Sequence, residues 1–186
     1  PQFKTANGRI VYEGHGIQPD VKIEPEMLST ITAHLYAQNM IFKYANKFYK
    51  EHKSIAKPEE FEITDEIYND FVKFVEDKEF KYTSESEKDF EELVKTAKME
   101  GYYDNIKTHL DVLENELKNH KGNDWFINRE EIEEILKMEI VGRYYFQKGK
   151  IISTLENDKE LNRAIEILLN SNGENEYETL LRGINN

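Results

Sequence analysis

The run Met138-Glu139-Ile140-Val141-Gly142-Arg143-Tyr144-Tyr145-Phe146 sets the tightest limit on the fold of this chain. Wound at 3.6 residues per turn, Met138, Ile140, Val141, Tyr144, Tyr145 and Phe146 cover nearly every side of a helix. A helix apolar all round is buried all round, so other helices must surround it. The spacing predicts a helix capped by Asn128, with Glu130 in its first turn and Glu131 three residues on, running to about Glu156. Gly142 in its middle would admit a close neighbour.

The surrounding helices are legible from apolar spacing. Pro25 is expected to open a long helix reaching about His52, because its missing N–H costs nothing at the first position. Leu28, Ile31, Leu35, Phe42, Ala45 and Tyr49 make one row, with Met27, Ile41 and Phe48 beside it. Ser54 to Ile63, with Pro58, reads as a connector. Thr64 then caps a helix whose buried face is Ile67, Phe71, Phe74 and Val75. Ser84 and Glu87 have the spacing of a capping box, followed by Phe90, Leu93, Val94 and Ala97. Gly101 marks a break or kink, leaving open a bent rod or a hairpin. Beyond it Tyr103, Ile106, Leu110, Leu113 and Leu117 keep a 3-4-3-4 spacing suited to coiled-coil-like packing. Lys118 to Asp124 reads as an exposed turn pinned by Trp125 and Phe126. Asp158 and Leu161 open a later helix, Ser171-Asn172-Gly173 stops it, and Tyr177, Leu180 and Leu181 suggest one more short helix. The expected fold class is mainly α, a multi-helix bundle.

Only the first residues read otherwise. Asn7-Gly8 between Phe3-Lys4-Thr5-Ala6 and Arg9-Ile10-Val11-Tyr12 signals a β-hairpin with a type I′ turn. Gly14 and Gly16 permit a bend, Pro19 biases Gln18 to extended backbone, and Val21-Lys22-Ile23 alternates like a third short strand. Bare strand edges of this kind are expected to recruit the same segment of another copy.

This stretch carries a resemblance. Asn7-Gly8-Arg9, a short strand, then Gly14-His15-Gly16-Ile17-Gln18-Pro19-Asp20-Val21-Lys22-Ile23-Glu24 resembles the closing segment of the catalytic domain in carboxyl-terminal processing (tail-specific) serine proteases. The helices, including Glu139 to Gly149, resemble the C-terminal extension of Bacteroidetes-type members. The resemblance implies that residues 1–24 close a peptidase catalytic domain and residues 25–186 form a C-terminal α-helical domain. It implies a parent serine endopeptidase of the bacterial periplasm or cell envelope that cleaves proteins near their C-termini. Its Ser nucleophile and Lys base would lie upstream, and no position here matches those motifs, so this region is expected to be non-catalytic. Its expected role is structural, substrate-gating or oligomerising. Its partners would be the parent's protein substrates and its own catalytic domain, with a homodimer left open. The alternative is a stand-alone acidic helical interaction module.

Composition narrows the rest. A net charge of −12 argues against nucleic acid and anionic membrane surfaces, both of which need clustered Lys and Arg. The absence of cysteine removes disulfides and thiolate metal sites. The five histidines, His15, His34, His52, His109 and His120, form no zinc spacing, and no cofactor or metal is expected. His34 reads as a core-edge histidine with one hydrogen bond. Glu130, Glu131, Glu133 and Glu134 read as a solvated face suited to the helix dipole. Gly14-His15-Gly16 is too short for a phosphate loop, and His15 has no Ser or Cys partner at motif spacing. Glu139 and Arg143, at i and i+4, are either a buried pair or a thin polar seam, and the seam is the preferred reading.

Overall fold

The computed structural model describes residues 2–5, 10–14, 19–169 and 176–182. It is mainly α, with one short two-stranded antiparallel sheet. Two units divide it: residues 27–153, and residues 1–26 with 154–186.

The larger unit begins with α1 (Thr30–Ala37). The expected helix start at Pro25 is displaced to Thr30, and the side chain of Ser29 caps it by accepting from Thr32 N at 3.4 Å. Met27 and Leu28 are exposed, so extending the helix back over them would bury nothing. The predicted single helix to His52 is also interrupted. Asn39 takes a left-handed conformation at φ 58°, which asparagine tolerates better than most residues, and α2 (Met40–Glu51) starts afresh. The restart sets the buried face: Met40, Ile41, Tyr44, Ala45 and Phe48 turn inward while Phe42 and Tyr49 stay half exposed.

After the predicted connector, Thr64 caps α3 (Asp65–Glu76) by accepting from Ile67 N, and Tyr68, Phe71 and Val75 are buried. The Ser84/Glu87 capping box is present at the start of α4 (Glu85–Glu100). Gly101 ends α4 at φ 79°, a conformation glycine adopts freely. α5 (Tyr103–Gly122) then returns along α4, since Lys121 near its end meets Glu87 near the start of α4 at 2.8 Å. That geometry makes the pair a hairpin and not a bent rod. α5 runs through the turn predicted at Lys118 to Asp124, and α6 (Asp124–Ile127) follows at once. Trp125 packs against the core as expected, but Phe126 is exposed.

α7 (Arg129–Thr154) supplies the centre: Ile132, Leu136, Ile140 and Val141 are fully buried against residues of α1, α2 and α3. Fully burying side chains of this size contributes about 1.5–3 kcal/mol each. The all-round burial predicted up to Phe146 fails at that residue. Phe146 is 77% exposed and has φ 57°, ψ −155°, so the helix is broken there.

In the smaller unit β1 (Gln2–Lys4) pairs antiparallel with β2 (Ile10–Tyr12). A two-residue turn at Asn7-Gly8 would set Phe3 opposite Tyr12, whereas the strands set Phe3 opposite Val11. The turn at Asn7-Gly8 and the residues His15 to Gln18 lie outside the described residues. Val21 to Ile23 is not a strand. α8 (Lys159–Leu169) is capped by Asp158, whose Oδ1 accepts from Leu161 N at 2.8 Å, and α9 (Glu176–Arg182) follows. The stop predicted at Ser171 to Gly173 falls outside the described residues.

Candidate functional site

The strongest polar constellation lies where α7 breaks. Glu139, 7% exposed, accepts from Arg143 Nη1 at 2.9 Å and from Lys150 Nζ at 2.5 Å. Arg143 also donates through Nε to Asn46 Oδ1 at 2.8 Å, and its guanidinium lies over the Phe42 ring at 4.6 Å. The buried-pair reading therefore replaces the polar seam. Burial pushes the Glu139 carboxyl up, yet hydrogen bonds from Lys150 and then Arg143 outweigh it and hold the group below its ordinary value. Glu139 is thus a carboxylate clamped between two cations. Each of its oxygens takes one cation, and it ties together the two parts of α7 on either side of the break.

A Ser and a Lys also sit close by. Ser153 Oγ, however, donates to the Lys150 backbone carbonyl at 2.9 Å, while the Lys150 amine is spent on Glu139. A general base must be deprotonated and within reach of its nucleophile. The Ser153 hydroxyl and the Lys150 amine are each engaged by another group, so the pair is not arranged as nucleophile and base.

No local pattern announces Lys150 in this cluster, because contact with Glu139 requires the break at Phe146. The other polar anchors are similar. Tyr44 Oη donates to Asp70 at 2.9 Å, and Tyr68 Oη donates to the Trp125 carbonyl at 2.6 Å. Burial pushes the Tyr68 phenol up to about 12 despite nearby Arg129.

The smaller unit holds a groove of about 690 Å³. Val21 and Ile23 from the segment after β2, Ile167 from α8, and Tyr177 and Leu180 from α9 line it. Arg163, which also lines it, donates to Glu176 at 2.5 Å. Its walls come from segments over a hundred residues apart, so no local pattern announces it.

The described histidines do not converge. His34 is half-buried with its ring centroid 5.6 Å from that of Tyr82, His52 stacks on Phe48 at 3.9 Å, and His109 and His120 are exposed. His15 lies outside the described residues. Among the described residues no group of three or more His, Cys, Asp or Glu could hold a metal ion, and no helix is long and apolar enough to cross a membrane. The acidic start of α7 is more specific than a solvated face. Glu131 accepts from Ser29 N at 3.0 Å, closing the start of α1, and Glu133 accepts from Arg129 Nε at 2.7 Å. Glu130 remains exposed.

Compared with known families, residues 31–168 match the model described as "Probable PDZ-protease, C-terminal helical domain". No curated protein and no solved structure matches the chain.

Proposed function

Because the chain belongs to the family of C-terminal helical domains of probable PDZ-proteases, we propose that it is the non-catalytic helical region of a tail-specific serine endopeptidase. The family match over residues 31–168 carries this reading and ties the chain to a parent peptidase. The finer assignment rests on the likeness of Asn7-Gly8-Arg9 and Gly14 to Glu24 to the closing strands of carboxyl-terminal processing proteases. On this reading residues 1–24 belong to the catalytic domain and residues 25–186 to the helical domain.

The parent would cleave proteins near their C-termini by acylation of a Ser, with a Lys as general base and a backbone oxyanion hole, all outside this chain. It would act in the periplasm or cell envelope. The helices would cover the catalytic domain, gate substrate entry or join two copies. What supports a structural role is the interior itself. The phenols of Tyr44 and Tyr68 and the carboxylate of Glu139 are each committed to partners within the unit.

The test uses a fluorophosphonate probe and an unstructured protein substrate. The full-length parent should take the probe on one Ser upstream of Pro1 and release C-terminal fragments. This chain alone should show neither an adduct nor new substrate termini by mass spectrometry. An adduct on this chain, or a parent whose cleavage survives the probe, would overturn the assignment.

A further inference from the structure

α7 doubles back on itself without a loop. In a straight helix eight residues rise about 12 Å, yet a Cβ at Gly142 would lie 3.0 Å from Lys150 Cγ and 2.3 Å from its Cε. A Cβ at Gly149 would lie 2.3 Å from Tyr145 Cβ and 3.1 Å from Val141 Cγ1. The two arms, residues 129–145 and 147–154, therefore cross closely, and both glycines of α7 sit at the crossing. Phe146 alone absorbs the reversal. Its φ 57°, ψ −155° borders a region that is essentially reserved for glycine, and its side chain is 77% exposed.

The fold thus has a costly hinge and an attractive crossing, and the two are separable. The Lys150 to Glu139 ion pair and the packing of Gly149 on Val141 and Tyr145 hold the crossing. None of these contacts requires both arms to come from one chain. Straightening α7 would let Phe146 relax to helical backbone. In a lone chain it would also leave Glu139 buried without Lys150, and stripping one partner from a buried ion pair is strongly unfavourable. A second copy opened in the same way restores every lost contact, its Lys150 meeting this Glu139 and its Gly149 this Tyr145. We propose that the chain forms an arm-exchanged homodimer by opening at Phe146, with the arm beginning at Gln147 crossing to the partner. Exchange of identical elements between copies is a low-cost route to a closed symmetric dimer, and strained hinges favour it. The proposal stands independently of the activity of the parent.

Because the chain has no cysteine, a cysteine pair reads the exchange directly. Gly142→Cys with Lys150→Cys places two thiols at the crossing. Oxidation should give intramolecular disulfides in dilute protein and covalent dimers after incubation at high concentration, resolved by non-reducing denaturing electrophoresis. Phe146→Gly, which removes the backbone cost of the reversal, should weaken dimerisation by roughly tenfold or more in analytical ultracentrifugation. Phe146→Ala keeps the backbone cost of φ 57° and favours helical backbone, so it should shift the population toward dimer. Only intramolecular disulfides at every concentration would overturn the proposal. So would a dimer whose affinity is unchanged in Phe146→Gly.

Discussion

The packed centre made by α1, α2, α3 and α7 and the hairpin made by α4 and α5 have the same kind of helical spacing and very different interiors. In the centre, Ile31, Leu35, Tyr44, Phe71, Ile132, Leu136, Ile140 and Val141 are at most 1% exposed. In the hairpin only Ala97 and Leu110 are buried, while Leu93, Val112 and Leu113 are exposed. The hairpin is held instead at its base by polar contacts. Lys121 donates to Glu87 and to the Tyr82 carbonyl, the Ser84/Glu87 box caps α4, and Tyr82 Oη bonds Asp124. An apolar stripe stabilises in proportion to the partners that cover it. The stripes of the centre meet several helices, and that of α5 has α4 as its principal helical partner. The two regions should therefore respond differently to the same perturbation, as local stability is not uniform within a domain.

The sharpest way to break this contrast is to place one charge in each region. Val141→Asp puts a carboxylate into a fully buried apolar site, where the cost is about 3–5 kcal/mol, enough to abolish a cooperative thermal transition in a marginal domain. Leu113→Asp, at a site 44% exposed, should shift stability by less than about 1 kcal/mol. Similar melting of the two variants would show that the hairpin is as dry as the centre.

Glu139→Gln should cost about 3 kcal/mol, because it leaves Arg143 and Lys150 facing each other without their shared counter-charge. The sign of its pH dependence follows from the lowered carboxyl. The unfolded group titrates near its ordinary 4.5 and the folded one lower, so the stabilisation is complete above about 4.5 and is lost as pH falls through the folded value. Denaturant melts of wild type and Glu139→Gln should converge as the pH drops below that window. Parallel curves down to acid would remove Glu139 from the account.

Much of this was legible locally. Thr64, Ser84 with Glu87, Gly101 and Asp158 mark helix ends through side-chain or backbone chemistry within three or four residues, and each stands where its pattern places it. What could not be read depended on contacts made across the fold. Glu131 caps α1, a helix 102 residues earlier, instead of its own, and Asn39 breaks a stripe that sequence alone runs straight through. The break at Phe146 is hidden for the same reason. Tyr144-Tyr145-Phe146-Gln147 has no turn signal, and only contacts between the two arms, of Gly142 with Lys150, Gly149 with Tyr145 and Lys150 with Glu139, reward the reversal.

Within the hairpin, Glu87→Ala should cost about 1–2 kcal/mol by removing half of the capping box and the carboxylate that meets Lys121. Burial raises the Glu87 carboxyl, but Lys121 and Ser84 together bring it below the ordinary 4.5, so this clamp also loosens in acid. Amide hydrogen exchange should accelerate in α4 and α5 and stay unchanged in α7. Equal acceleration in α7 would show that the two regions open as one.

Tyr82→Phe is the mildest and most selective change. The ring stays, still carrying Lys121 at 4.5 Å and facing His34 at 5.6 Å, and only the bond to Asp124 is lost. Burial first, and then Asp124, push the Tyr82 phenol well above its ordinary value, so at neutral pH it is a donor and the wild-type bond is intact. Losing one such hydrogen bond at a half-buried site costs about 1 kcal/mol. The midpoint of global unfolding should barely move, because the lost bond joins the base of the hairpin to α6 while the Tyr82 ring keeps its place against the core. Exchange at the start of α4 and the end of α5 should nevertheless quicken by about fivefold, the factor that about 1 kcal/mol of local opening gives. Were the global midpoint to fall while local exchange stayed constant, the hairpin base would be part of the main cooperative unit. The contrast would then lie between the helix tips and everything else.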